Sequence, residues 1–141
     1  MDELTLEART ENLSQVLDFV ASRLERHGCP PKMRRKIEVA AEEIFVNIAH
    51  YAYAPGAGSA TVRFAMEDSA GNPLCGGTAV MTFIDSGVPY DPLARPDPDV
   101  TLSTKDRPIG GLGIYMVKKS MDSVAYEYKD GQNIFTMRKA F

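Results

Sequence analysis

Apolar residues recur along this chain with two periods, and the switches between them divide it into elements. Leu4, Leu6 and Ala8 alternate with Thr5, Glu7 and Arg9, which predicts a first strand. Leu13, Val16, Leu17, Val20, Ala21 and Leu24 then fall at helical spacing. Thr10 or Asn12 is placed to cap that helix, and it is expected to reach about Arg26, where Gly28, Pro30 and Pro31 break the pattern. A second helix is expected from about Lys32 to Ala52, ended by Pro55-Gly56-Ala57-Gly58.

The period returns to two from Thr61 to Glu67, with Val62, Phe64 and Met66 on one face. Ser69 to Pro73 reads as a turn, and Thr78 to Ile84 as a central strand, apolar on both faces. A loop rich in Pro and Asp runs from Ser86 to Ile109, long enough to predict a functional role. A third helix (Leu112 to Met121), a strand through Val124, Tyr126 and Tyr128, an Asp130-Gly131 hairpin turn and a closing strand (Asn133 to Phe141) complete the chain. This order predicts an α+β sandwich: a mixed, mainly antiparallel sheet with three helices on one face.

Length and composition narrow the function classes. The 141 residues fit one domain, taken as 1–141. A net charge of −3 does not favour non-specific nucleic-acid binding. No apolar run approaches the ~20 residues of a membrane span, and Met1-Asp2-Glu3-Leu4 lacks the positive start of a signal peptide. Cys29 and Cys75 lack metal-type spacing and are expected to be free thiols of a cytoplasmic protein.

Three segments carry candidate chemistry. On a helical wheel Ile37, Ala41, Ile44, Ile48 and Tyr51 share the expected core face, while Glu43, Asn47 and His50 form a polar stripe. Asn47 offers a neutral oxygen suited to magnesium, and Glu43 a carboxylate able to take a proton. Taken alone, the stripe fits a solvated helix face equally well. In the second segment, Asp85-Ser86-Gly87, a carboxylate ends a buried strand where it can accept from the exocyclic amine of adenine, and Gly87 lets backbone approach a flat ring. Tyr90 either closes that pocket or packs in the core, and the segment also fits a plain strand-ending turn. In the third, Gly110-Gly111-Leu112-Gly113 opens a helix whose free amides favour anions, with Lys105 and Arg107 upstream to meet a terminal phosphate. The alternative there is an ordinary loop ahead of a helix. The Gly-Lys-Ser/Thr ending of a Walker motif is missing.

In this order the three segments resemble the GHKL ATPase superfamily, and most of all its small anti-sigma factor serine/threonine kinases. The most specific piece is Arg107-Pro108-Ile109-Gly110-Gly111-Leu112-Gly113-Ile114. The resemblance implies a two-layer Bergerat-type sandwich that binds ATP and Mg2+. In it Glu43 matches the general base, Asn47 the magnesium ligand, and Asp85 the adenine-binding carboxylate with Gly87 beside it. Gly110, Gly111 and Gly113 match the phosphate lid and its helix, and Asn133 falls near a position that touches the base. It further implies a protein kinase acting on a serine of an anti-sigma factor antagonist, binding an RNA polymerase sigma factor and forming a homodimer. The alternative is a non-catalytic ATP-binding module that sequesters a sigma factor or antagonist. One departure concerns the histidine that relatives often carry four residues after the asparagine: here Tyr51 stands there and His50 comes one position early. The segment from Asp91 to Asp106 matches no family pattern.

Overall fold

The computed structural model describes residues 2–67, 77–94 and 112–141. Strands β1 (Asp2–Glu7), β2 (Ser59–Glu67), β3 (Thr78–Asp85), β4 (Ser123–Lys129) and β5 (Gln132–Ala140) form one sheet in the order β1-β2-β3-β5-β4. Each neighbouring pair is antiparallel. Helices α1 (Leu13–Arg26), α2 (Pro31–Asn47) and α3 (Leu112–Ser120) form the second layer.

Strand alternation explains why the helices share a face. Val62 and Phe64 of β2, Met81 and Phe83 of β3, and Phe135 and Met137 of β5 are buried in one apolar cluster. The same cluster holds Val16, Val20 and Leu24 of α1, Ile37, Ala41, Ile44 and Phe45 of α2, and Ile114 and Val117 of α3. The opposite sheet face carries polar cross-strand pairs: Arg63 with Glu3 at 2.8 Å, Thr5 with Thr61 at 2.9 Å, and Arg138 with Glu67 at 3.5 Å. Such pairs suit a solvated surface and contribute little apiece.

Local sequence sets the boundaries. Asn12 occupies the N-cap position of α1, yet its side chain donates to the Glu7 carbonyl, tying the helix start to β1 instead of capping it. Pro31 opens α2 at its first position, where a missing N–H costs nothing. After Asn47 the helix continues as a π-type turn over Ile48–Ala52. A π turn advances less per residue than an α turn, so a wheel drawn at the α period goes out of phase there. This corrects the expected core face: Ile37, Ala41, Ile44 and Ile48 are buried, but Tyr51 is 62% exposed and Ala52 turns inward. Arg34 pairs with Glu38 (3.7 Å) and Glu25 (2.6 Å), linking α2 to α1. Cys29 is a buried free thiol, and burial pushes its pKa up. Cys75 and the turn 69–73 lie outside the described residues. No described helix is long and apolar enough to cross a membrane.

Candidate functional site: a cleft between α2 and the sheet ends

Between α2, the π turn and the ends of β3, β4 and β5 lies a cleft that opens to solvent. Its walls are mostly apolar: Ile44, Ile48, Phe83, Val88, Pro89, Ile114 and Phe135 contribute to them. Asn47 lines one side and Asp85 with Asn133 the other, while Tyr51, Tyr90 and Tyr126 complete the lining. An apolar hollow with a few convergent polar groups is the usual form of a small-molecule site.

The period of β3 puts Asp85 on the same side of the sheet as Met81 and Phe83, facing the helices. Register sets Asn133 of β5 directly opposite. Both are buried, Asp85 5% exposed and Asn133 7%, the buried polar side chains among the described residues. Asp85 Oδ1 accepts from the Gly87 amide (2.9 Å) and from Asn133 Nδ2 (2.9 Å). Asn133 Nδ2 also donates to the Val88 carbonyl at 2.9 Å, and its Oδ1 accepts from the Tyr90 amide at 3.0 Å and from the Tyr126 hydroxyl. Burial pushes the Tyr126 hydroxyl above its ordinary pKa, and the nearby Asp91 and Asp85 charges push the same way, so it stays protonated and donates. Asp85 Oδ2 has no hydrogen-bond partner among the described residues. A buried carboxylate oxygen left unpaired is costly, which fits a donor-bearing ligand in the cleft.

The turn after β3 is pinned to the end of α2. Val88 N donates to the Ala52 carbonyl (2.9 Å), and Ser86 N to the Tyr53 hydroxyl (2.8 Å). A Cβ on residue 87 would overlap the Ala52 carbonyl oxygen and carbon. Gly87 itself does not line the cleft. The glycine is therefore required by the π turn behind it, a reason that differs from the expected approach of a flat ring.

The helix-borne end is simpler. Asn47 Nδ2 donates to Glu43 Oε1 at 3.3 Å. A carboxylate only accepts, so the amide turns its nitrogen to Glu43 and leaves Oδ1 without a partner among the described residues. Glu43 does not line the main cleft. Its carboxylate lies against Gly113 of α3, where an added Cβ would overlap it, beside a second hollow lined by Val39, Ala40, Met116, Val117 and Ser120. Tyr51 lines the cleft, whereas His50 is exposed and meets the Tyr51 ring in a T-shaped contact (5.9 Å between centroids). Leu112 begins α3. Lys105, Arg107, Gly110 and Gly111 lie outside the described residues. Among the described residues no cluster of three His, Cys, Asp or Glu side chains could hold a metal. A cation here would depend on the neutral Asn47 oxygen and on ligand oxygens, an arrangement typical of magnesium bound with phosphates.

Sequence reasoning missed Tyr126 and the Val88 and Tyr90 backbone groups. The signal for Tyr126 was present. A two-residue turn at Asp130-Gly131 pairs Tyr128 with Asn133, which leaves Tyr126 on the diagonal of the same face.

Fold and cleft together describe a two-layer α+β sandwich with an apolar hollow at the sheet ends. The chain belongs to the histidine kinase-like ATPase domain family, whose pattern it matches over residues 6–139. The GHKL resemblance of the three segments is thus upheld across nearly the whole chain. It is 24% identical over 139 residues to the serine/threonine-protein kinase BtrW of Bordetella bronchiseptica, covering 96% of this chain and 91% of that protein. The crystal structure of the RsbU and RsbW domains of Rv1364c from Mycobacterium tuberculosis matches the whole chain with a TM-score of 0.64 at 16% identity, and this chain spans 33% of its length. The histidine kinase domain of the Erythrobacter litoralis EL346 blue-light activated histidine kinase matches 90% of the chain with a TM-score of 0.51 at 14% identity, over 60% of its own length. At these identities the two structures speak for the fold.

Proposed function

We propose that this chain binds ATP in the cleft and transfers its terminal phosphate to a serine of a small anti-sigma factor antagonist, and that as a homodimer it also sequesters an RNA polymerase sigma factor. The observation that carries the nucleotide half is the buried Asp85 carboxylate at the cleft: one oxygen is held by two donors, and the other has no partner among the described residues. Oδ2 accepts the exocyclic amine of adenine, while Phe83, Val88, Ile114 and Phe135 sandwich the base in an apolar slot. Asn47 Oδ1 holds magnesium, which when bound neutralises phosphate charge. Lys105, Arg107 and the backbone amides of Gly110, Gly111, Leu112 and Gly113 receive the phosphates.

In the transfer step Glu43 accepts the proton of the serine hydroxyl as its oxygen bonds to the terminal phosphorus and the bond to the ADP oxygen breaks. The kinase half is supported by the likeness to a serine/threonine kinase along 91% of that protein's length. Incubation with labelled ATP and a candidate antagonist tests it, label on a serine being the expected result. A protein that binds ATP yet labels no serine is instead the non-catalytic module. The side-on placement of Glu43, against Gly113 and outside the cleft lining, is the feature that favours this second reading.

A further inference from the structure

We infer that Asn133 is a positioning residue: it touches no ligand, and its hydrogen bonds fix the angle at which the Asp85 carboxylate meets the cleft. The inference rests on the ATP reading above and differs from the base contact that the family resemblance implied. Its warrant is a complete count of the amide's hydrogen-bonding capacity. The Tyr90 N–H can only donate and the Val88 carbonyl can only accept, so these two partners fix the amide orientation without ambiguity. Oδ1 faces Tyr90 and Nδ2 faces Val88. The second hydrogen on Nδ2 goes to Asp85 Oδ1, and the second lone pair on Oδ1 takes the Tyr126 hydroxyl. Two donors and two acceptor sites are thereby filled by protein, and none is left for a base.

What Asn133 supplies is direction. The terminal torsion of an aspartate is broad, so a carboxylate held by one bond can swing away from the angle that presents an oxygen to the cleft. Gly87 N alone would hold Asp85 Oδ1 at a single point. The donor from the facing strand gives Oδ1 a second point, which restricts that swing and leaves the other oxygen free to accept from a ligand. The same amide bridges Val88 O and Tyr90 N, holding the turn that forms the cleft's outer wall. Tyr126 of the next strand holds Asn133 in turn.

The test compares two ligands by direct binding: ATP, and the triphosphate of purine riboside, which lacks the exocyclic amine. Wild type should prefer ATP, and Asp85→Ala should remove the preference. If either fails, the reading of the base end is wrong and the inference falls with it. Given that preference, Asn133→Ala should weaken ATP by roughly tenfold, within the range for an unmatched buried polar group, and leave the analogue within about twofold. In the Asp85→Ala background the same change should cost less than about twofold, since coupled residues are not additive. Equal weakening of both ligands, or fully additive losses, overturns the proposal. Tyr126→Phe, which keeps the ring and removes only the hydroxyl, should produce a smaller loss of the same selectivity. It decides the matter if Asn133→Ala does not fold, and unchanged selectivity in a folded Tyr126→Phe then counts against the proposal.

Discussion

At the Asp85 end of the cleft, side chains from three strands and the backbone of one turn share a closed set of hydrogen bonds, whereas at the α2 wall Asn47 shares a single bond of 3.3 Å with Glu43, which lies outside the cleft lining. The first set is made by sheet register. Its partners are brought together by the β3–β5 register and the backbone of the turn, so most of its geometry exists before any ligand arrives. The second depends on two rotamers, and a hydroxyl approaching Glu43 can displace it at little cost, while Asn47 Oδ1 takes no part in it. Recognition of a base benefits from the first design, because preorganised donors and acceptors spend no binding energy on ordering. A site where phosphates arrive, react and leave benefits from the second.

The largest expected effect lies at the helix-borne end. Glu43→Gln keeps the size and the contact with Gly113 but removes the proton acceptor. Serine phosphorylation should fall by about 10²- to 10⁴-fold, the usual contribution of a general base, with ATP affinity nearly unchanged. Single-turnover transfer together with calorimetric ATP binding checks it, and undiminished transfer removes Glu43 from the chemistry. Next comes Asn47→Ala. A ligand at a hundred times its Kd stabilises the native state by about 2.7 kcal/mol, on the order of 10 °C for a chain of this size. Most of the magnesium-dependent part of that shift should vanish in the variant, and a shift identical to wild type excludes Asn47 as the ligand.

Two glycines divide the ends more finely. A methyl at Gly87 meets the Ala52 backbone, which cannot move aside, whereas a methyl at Gly113 meets the tip of the Glu43 side chain, which can. Gly87→Ala should therefore cost about 1–3 kcal/mol, the scale of core overpacking, and lower the melting temperature of the ligand-free protein. Gly113→Ala should leave that temperature within a degree or two and act on transfer instead, by displacing the Glu43 carboxylate. If both variants melt alike, the contrast between a backbone-locked and a side-chain-borne end is wrong.

The elements were legible because both periods are strong: α1 ends at Arg26 and α3 begins at Leu112 where the pattern puts them. Asp85 and Asn47 stood out as candidates, a carboxylate ending an apolar strand and an amide on a largely apolar helix, and both line one cleft. What the sequence hid was coupling. Nothing local to Asn133 says that its amide is filled by Tyr90, Val88 and Tyr126, because those partners come together only once the β3–β5 register and the turn are set. Tyr51 was misplaced for a related reason: the wheel assumed an unbroken α period, and the π turn that pins the Gly87 turn is a tertiary choice.

The smallest expected effect serves as a control on the same strand. At the far end of β5 the Asp122 carboxylate accepts from the Ala140 amide at 2.7 Å and from Lys139 Nζ at 3.1 Å. The Ala140 amide, and after it Lys139, hold its pKa below the ordinary value near 3.8, against a modest opposing effect of burial. A depressed carboxylate contributes stability above the unfolded-state value that is lost as pH falls through the folded one. Asp122 should therefore contribute at pH 7 and stop contributing at some point below about pH 3.8. Its side chain is 48% exposed, so after solvent screening the contribution should stay within about 1 kcal/mol. Asp122→Asn should melt slightly below wild type at pH 7, and the difference should close as the pH is lowered through that range. ATP affinity should stay within about twofold, because the register at Asp85 and Asn133 is held by the rest of the strand pair. Should Asp122→Asn weaken ATP as much as Asn133→Ala does, the base end is sensitive to β5 as a whole, and the locality of its hydrogen-bond set is refuted.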